Sequence, residues 1–278
     1  MKIKVLGTSA CEGIPSLFCN CEVCQQARKL KGKEIRTRSQ LIIDDCMIID
    51  YPVDTYMHAL HHEIDLSAIK YMLFTHSHSD HFYGKEFCLR GLCYASNIKE
   101  EILSMFMGKD VYKKFEEETA EEMSEEVLSS YKFNILNSYD VVKAGNYKIT
   151  VLPAEHSLPE SFLYLIESNG KTYFHCYDTG YPYEEVLEYF KENDVKIDCV
   201  LMDCTMGSWK QGKNRGHMGF EDCVELKNEL IQNKTCTEKT KFVLTHFSHY
   251  GKMLHMDYEN MAKEKGLIIA YDGMEIKL

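Results

Sequence analysis

Four side chains that can bind a metal ion lie within six positions of this 278-residue sequence: His76, His78, Asp80 and His81. They directly follow the apolar residues 71–74, which are typical of a short buried strand. Neutral imidazole suits borderline divalent ions such as zinc, and the carboxylate adds negative charge that helps to hold a second ion. Because a solvated polar loop would rarely combine these residues at this spacing, the run predicts a metal site.

This run resembles the signature of the metallo-β-lactamase superfamily. The resemblance implies that His76 and His78 bind one ion, while Asp80 and His81 bind a second. It also implies three further ligands later in the chain, each just after a β-like run, where α/β folds place their chemistry. The sequence has a suitable residue at each expected place: His156, Asp178 and His246. We expect Asp178 to bridge the two ions.

A second metal site is indicated by three thiols within six residues, Cys19, Cys21 and Cys24. Thiolates are soft ligands that favour zinc, and three of them need one more ligand to close a tetrahedral site. A closed set of four protein ligands leaves no position for substrate. The triad therefore predicts a structural zinc rather than a catalytic one, with a redox pair or spare thiols as the alternative.

The thiol triad also narrows the resemblance to one branch of the superfamily, which includes the PhnP phosphodiesterase and the coenzyme PQQ biosynthesis protein. The similarity spans most of the chain. It is strongest at Gly7-Thr8, Gly13-Ile14-Pro15, the three cysteines, Ala27-Arg28, Arg36-Thr37-Arg38-Ser39 and residues 271–276. By this resemblance His249, three residues after His246, is the fourth zinc ligand. The same resemblance implies a homodimer.

A further histidine, His217, lies between Gly216 and Met218, just before a predicted helix. In phosphodiesterases of the superfamily, a histidine at the matching place contacts phosphate and can act as an acid. We therefore predict that His217 binds substrate and takes part in catalysis, together with Asp80. Asp50 ends a predicted strand, and it either orients a metal-binding histidine or serves as a turn residue before Pro52.

Composition is that of an ordinary globular protein, with 45% hydrophobic and 27% charged residues. A net charge of −11 disfavours a nucleic-acid partner. The sequence has neither a signal-peptide pattern at its start nor an apolar run long enough for a membrane span, so we expect a cytoplasmic protein. In a reducing compartment, its twelve cysteines would be free thiols or metal ligands rather than disulfides.

Short strands alternate with helices, which predicts an α+β fold, a four-layer αββα sandwich of two mixed sheets. We expect one domain over residues 1–278, with a zinc-binding loop at about 11–28 and a helical, acidic segment at about 97–129. The acidic segment is either a solvated surface or a lid. Strands are predicted at 2–6, 40–44, 46–50, 70–75, 132–136, 147–152, 161–166, 171–176, 198–203, 240–245 and 267–271, and helices at 54–63, 183–192, 219–232 and 252–264.

These features predict a metal-dependent phosphodiesterase that acts on a small linear or cyclic phosphate diester. Two adjacent divalent ions, manganese, zinc or iron, would share and activate a water molecule. Two alternatives remain open: another hydrolase on the same fold (lactonase, thioesterase, β-lactamase or ribonuclease), or a non-hydrolytic accessory protein of cofactor biosynthesis.

Overall fold

The structure of the protein is a computed structural model that describes residues 1–91 and 93–278. Within those residues the strands are β1 (Lys2–Gly7), β2 (Gln40–Ile43), β3 (Met47–Ile49), β4 (Tyr71–Leu73), β5 (Leu103–Met107), β6 (Tyr131–Ile135), β7 (Val141–Ala144), β8 (Tyr147–Pro153), β9 (Phe162–Ser168), β10 (Lys171–Cys176), β11 (Cys199–Asp203), β12 (Lys241–Thr245), β13 (Ile268–Ile269) and β14 (Met274–Lys277). The α-helices are α1 (Glu22–Leu30), α2 (Thr55–His62), α3 (Lys109–Thr119), α4 (Glu125–Leu128), α5 (Glu184–Glu192), α6 (Phe220–Gln232) and α7 (His255–Lys263).

The strands form two seven-stranded sheets with matching internal organisation. The first has the order β14-β1-β2-β3-β4-β5-β6, and the second has the order β13-β12-β11-β10-β9-β8-β7. In the first sheet β3 to β6 are parallel and the other pairs are antiparallel. In the second sheet β10 to β13 are parallel and the other pairs are antiparallel. Both sheets are therefore mixed, as predicted.

Three apolar layers hold the sandwich together, and strand alternation explains how one strand contributes to two of them. On β2, Leu41 and Ile43 point into the layer between the sheets, where they join Tyr164 and Val243 of the second sheet. Ile42 points the other way, into the layer under α3. Since successive side chains of a strand face opposite sides, a fully apolar strand is buried on both faces.

Helices cover the outer face of each sheet and complete the αββα arrangement. The outer layer of the second sheet is filled from α1, α5, α6 and α7, with Phe190 and Leu226 among its fully buried side chains. The outer layer of the first sheet is filled from α3 and α4, through Val111, Phe115 and Val127. The predicted four-layer α+β fold is confirmed. No helix of the residues described is long and apolar enough to cross a membrane.

The prediction of a helical segment over 97–129 is wrong at Leu103–Met107, which forms β5, next to the edge strand β6 of the first sheet. A short apolar run that is buried on both faces shows neither helical nor strand periodicity. The charged residues that follow it have a helical pattern, and the prediction extended that helix over the whole segment. The acidic residues themselves lie on α3, on α4 and between them, mostly exposed, which supports a solvated surface. Strands β7 and β14 and helix α1 were not predicted.

A buried polar network involves Gln40 at the start of β2. His58 on α2 contacts the Gln40 side-chain oxygen through Nδ1 at 2.6 Å and the Thr37 hydroxyl through Nε2 at 2.7 Å. Burial lowers the pKa of His58 to about 4, so this imidazole is neutral in the folded protein at neutral pH. Arg36 is also buried, and it donates to the Ala270 carbonyl at 2.8 Å.

Candidate metal centre

The predicted ligands converge because the strands that carry them run in the same direction. Residues 76–81 follow β4, His156 follows β8, Asp178 follows β10 and His246 follows β12. Strands β10 and β12 are parallel to β11, and β8 is related to β10 by two antiparallel pairings, so all three end at the same edge of the second sheet. The loop after β4 meets this edge from the first sheet.

The first group of potential ligands consists of His76, His78, His156 and Asp178. Nδ1 of His78 lies 2.9 Å from Nε2 of His76 and 3.1 Å from Nε2 of His156. Nε2 of His76 lies 3.1 Å from Oδ2 of Asp178. Ligands bound at zinc distances in a tetrahedron are about 3.3 Å apart, so these atoms are spaced to surround one ion.

The second group consists of Asp80, His81, Asp178 and His246. Nε2 of His81 lies 3.0 Å from Oδ2 of Asp178 and 3.3 Å from Oδ2 of Asp80. Nε2 of His246 lies 3.8 Å from the same Asp178 oxygen. The Asp178 carboxylate thus belongs to both groups, which is the position of a bridging ligand.

Unsatisfied polar atoms show that these groups fit metal ions. Among the residues described, His81, His156, Asp178 and His246 each have a buried side-chain N or O atom without a hydrogen-bond partner. Such atoms are rare in folded proteins. The unpaired Nδ1 of His156 lies 3.6 Å from Oδ1 of Asp178, and the unpaired Nε2 of His246 lies 3.8 Å from Oδ2 of the same carboxylate, distances that ligands of one ion can have. Asp178 and His246 also have left-handed backbone conformations, with φ of 52° and 58°. Side chains other than glycine adopt this region rarely, and such strain is concentrated at functional sites.

The protonation states of these side chains also suit cations. Burial is the main cause that lowers the pKa of His156 to about 4, leaving a neutral imidazole. Although burial opposes ionisation of Asp178, the imidazoles of His246 and His76 hold its pKa well below the usual value. Burial likewise opposes a charge on His81, but the carboxylates around it, with Asp80 the strongest, raise its pKa well above the usual value. The same negative charge that favours a proton on His81 would favour a metal ion, and binding of the ion would displace that proton.

Two buried carboxylates support the ligands from behind. Asp50 accepts a hydrogen bond from Nδ1 of His81 at 2.7 Å and from the Thr75 backbone N–H at 2.8 Å. Of the two sequence interpretations for Asp50, this contact matches the orienting one. Asp203, which sequence reasoning missed, ends β11 and lies 3.3 Å from Nδ1 of His246. The signal that could have found it is its position at the end of an apolar strand, because the predicted ligands also lie just after strands.

His217 lies beside these ligands and is held by the same aspartate. Its Nδ1 is 3.1 Å from Oδ2 of Asp203 and 3.5 Å from Oδ1 of Asp178, and its side chain is 30% exposed. Burial opposes a charge on the ring, yet the carboxylates, Asp203 foremost, raise the pKa of His217 to about 9. With Nδ1 occupied by Asp203, Nε2 is the ring nitrogen available to a ligand.

The ligand groups open into a cavity of about 490 Å³. Its walls combine metal-binding side chains with hydroxyl, thiol and carboxylate groups. They are formed by Ala10, Cys11, Glu12, His78, Ser79, Asp80, His156, Ser157, Asp178, Thr205, His217 and His246. A space of this size admits a small ligand, and it lies directly over the two ligand groups.

The third potential metal site is formed by Cys19, Cys21, Cys24 and His249, whose ligand atoms all lie within 4.8 Å of one another. Nδ1 of His249 is 3.5 Å from the sulfur of Cys19 and 3.4 Å from that of Cys21. A tetrahedral zinc with sulfur and nitrogen ligands has edges of about 3.5 Å, so the spacing fits. An ion bound by all four side chains would have no position left for substrate, which suits a structural role.

The structure therefore brings together every residue that the sequence assigned to the two metal sites, and it places His217 at the first of them. The metal-binding and catalytic roles of these residues remain predictions, as do the identity and number of the ions.

Comparison with known proteins agrees with the fold. The model of the beta-lactamase superfamily domain matches residues 49–247. The coenzyme PQQ synthesis protein B of Acinetobacter baylyi is 23% identical over 320 aligned residues, covering 100% of both chains. The crystal structure of a diphosphatase of the PhnP family has a TM-score of 0.72 at 17% identity, covering 100% of this chain and 97% of the other. The zinc-bound PqqB of Methylobacterium extorquens has the same TM-score and identity and covers 100% of both chains. Since the family model matches more than half of the chain, this protein belongs to the beta-lactamase superfamily.

Proposed function

We propose that this protein is a metal-dependent phosphodiesterase that hydrolyses a small phosphate diester, linear or cyclic. The observation that carries the proposal is the pair of ligand groups that share Asp178, with His217 beside them at one cavity. A pair of divalent ions held there would act as Lewis acids toward phosphate oxygens and make water nucleophilic at neutral pH. Manganese, zinc and iron all suit these ligands.

The protein's own side chains would then orient the diester and supply a proton. His217 can reach a phosphate oxygen or the leaving oxygen through Nε2, because Asp203 holds Nδ1. Proton donation from Nε2 would neutralise the leaving alkoxide, a contribution of about 10²- to 10⁴-fold in comparable reactions. Asp80 lines the cavity as well, and we propose that it takes part in catalysis as a metal ligand near the phosphate.

Two further features of the chain support a small substrate. The cavity of about 490 Å³ is lined by the loops after β1, β4, β8, β10, β11 and β12, and its volume suits a compact diester. The net charge of −11 opposes the approach of a nucleic acid, which disfavours a ribonuclease.

We also propose one cytoplasmic domain over residues 1–278 and, by analogy with the PhnP branch, a homodimer.

The experiment compares wild-type protein, loaded with manganese or zinc, on linear and cyclic phosphate diesters. His76→Ala removes a ligand of the first group, whereas His61→Ala makes the same change at an exposed position of α2. We expect wild type and His61→Ala to hydrolyse at least one diester and His76→Ala to lose that activity. Fully metal-loaded wild-type protein that hydrolyses no diester would refute the proposal.

A second candidate is a non-hydrolytic accessory protein of cofactor biosynthesis. The observation that favours it is the full-length similarity to two coenzyme PQQ synthesis B proteins, each 23% identical. The two candidates differ in one measurable respect, because an accessory protein would bind metal ions without turning over diesters, lactones or thioesters.

A further inference from the structure

We propose that Glu12 is a specificity-determining residue that selects phosphate esters whose alcohol carries hydrogen-bond donors and no second negative charge. The inference rests on the proposed function for the identity of the substrate, and it adds the chemical class of the group attached to the phosphate. Nothing about Glu12 in the sequence distinguished it from an ordinary surface carboxylate.

The position of Glu12 follows from a tight turn that two backbone hydrogen bonds hold in place. The Gly13 N–H donates to the Ala10 carbonyl at 3.1 Å, and Gly13 has a φ of 71°, which glycine adopts without strain. The Ala10 N–H donates to the Phe247 carbonyl at 2.9 Å, next to the metal-binding loop after β12. This turn places Cys11 and Glu12 on the wall of the cavity that contains Asp178 and His217.

The Glu12 carboxylate is fixed rather than free to swing into solvent. Oε1 accepts a hydrogen bond from the Ser248 hydroxyl and lies 3.8 Å from Nε2 of His249, a predicted zinc ligand. Oε2 lies 3.5 Å from the Cys11 thiol, and the side chain is only 23% exposed. A bonded carboxylate at a cavity wall acts on a ligand as a fixed negative charge with hydrogen-bond acceptors.

Among the residues described, Glu12 pairs with no lysine or arginine. The part of the cavity wall that the structure describes contains neither lysine nor arginine. Arg38 donates to the Cys11 carbonyl at 2.8 Å, but its guanidinium is paired with Asp54 at 3.1 Å, so its charge is already balanced. At the Glu12 end of the cavity, a ligand's second phosphate or carboxylate would therefore be repelled by the carboxylate, while a hydroxyl or ammonium group would meet an acceptor.

The cavity wall also lacks the rings that hold a nucleobase. Apart from the imidazoles of the ligand groups and His217, the described lining has no aromatic side chain. Stacking on such rings is the usual means of binding bases without sequence readout. The remaining polar groups, the hydroxyls of Ser79 and Ser157, suit a small hydroxylated or amino alcohol.

The test measures binding of two phosphate monoesters of similar size and opposite charge, phosphoethanolamine and phosphoglycolate, to the manganese-loaded protein by calorimetry. Two unit charges about 4 Å apart change binding by roughly fivefold at the dielectric constant of water and by about 10³-fold at the effective value usual near a protein surface, so a change of at least about tenfold is expected for a partly exposed carboxylate. We expect wild type to prefer phosphoethanolamine by at least tenfold. Glu12→Gln, which keeps the length and the acceptor for Ser248, should reduce that preference by about tenfold. Glu188→Gln, an exposed position on α5 outside the cavity and the thiol site, should leave it unchanged.

The outcomes separate this inference from the proposed function. An unchanged ratio of dissociation constants in Glu12→Gln would overturn the specificity role even if wild type hydrolyses diesters. Loss of the thiol-bound zinc in Glu12→Gln, with equal weakening for both ligands, would overturn it in favour of a structural role behind His249. If no diester is hydrolysed but the ratio shifts as expected, the proposed function fails and the role of Glu12 in ligand selection stands.

Discussion

The strongest single test of the metal centre is the substitution Asp50→Asn, which changes a residue behind the ligands rather than a ligand. Asp50 is 1% exposed and accepts hydrogen bonds from His81 Nδ1 at 2.7 Å and from the Thr75 N–H at 2.8 Å. Its backbone has a φ of 65°, a conformation that asparagine tolerates well. The substitution therefore removes charge without straining the chain.

The size of the effect follows from the hydrogen bonds that change. The carboxylate accepts from His81 with one oxygen and from the Thr75 N–H with the other. Asparagine replaces one of these oxygens by an NH₂ group, so one of the two donors would face another donor. A charged hydrogen bond contributes about 1.5–3 kcal/mol, which corresponds to about 10- to 150-fold in affinity. We expect the affinity for the second ion, the one bound by His81, to fall by about 10- to 100-fold, as is typical of groups behind metal ligands.

The assay is competition with a chelator, read out as bound metal per chain by elemental analysis. Asp45→Asn is the matched control, because Asp45 has a similar backbone conformation, with φ of 55°, and is exposed and remote from the cavity. The thiol-bound zinc should be retained in both variants. An affinity of Asp50→Asn within twofold of wild type, or equal loss of metal from the thiol site, would refute the reasoning.

Four further predictions concern separate parts of the molecule. Asp178→Ala should abolish activity and weaken both paired ions while the thiol-bound zinc remains, as measured by elemental analysis; joint loss of all metals would show that the sites are not independent. His217→Ala should lower kcat by about 10²- to 10³-fold on alkyl diesters and less on nitrophenyl diesters, whose leaving group needs no proton; equal losses on both would contradict an acid role. Cys21→Ser should remove one zinc per chain and lower the melting temperature, and an unchanged zinc content would exclude a thiolate site. Burial lowers the pKa of His58 to about 4, so the unfolded chain binds a proton near pH 6.5 that the folded chain binds only near pH 4. The free energy of unfolding should therefore decrease as pH falls through this window. Urea unfolding of the variant His58→Gln should show a smaller decrease in that free energy.

Much of the fold could be predicted because strand and helix periods are local. The strands that were predicted include β8 and β11, whose apolar runs are bounded by turns, and both lie where expected. Strand β5 was missed since its four apolar residues lie between charged segments, and only pairing with β4 and β6 makes this segment a strand. Strand β14 likewise depends on its partner β1, at the other end of the chain.

The sequence by itself determined which side chains could bind metal, because ligand chemistry belongs to residue type and because His76, His78, Asp80 and His81 are neighbours in one loop. The sequence also led us to expect Asp178 as the bridge, but only the tertiary structure fixes its contacts with both ligand groups, since these are distances below 4 Å between residues far apart in sequence. The positions of Asp203 and Glu12 at the site came from the tertiary structure alone. A buried or cavity-facing carboxylate has no local signature, and its role arises from the loops that the fold packs against it.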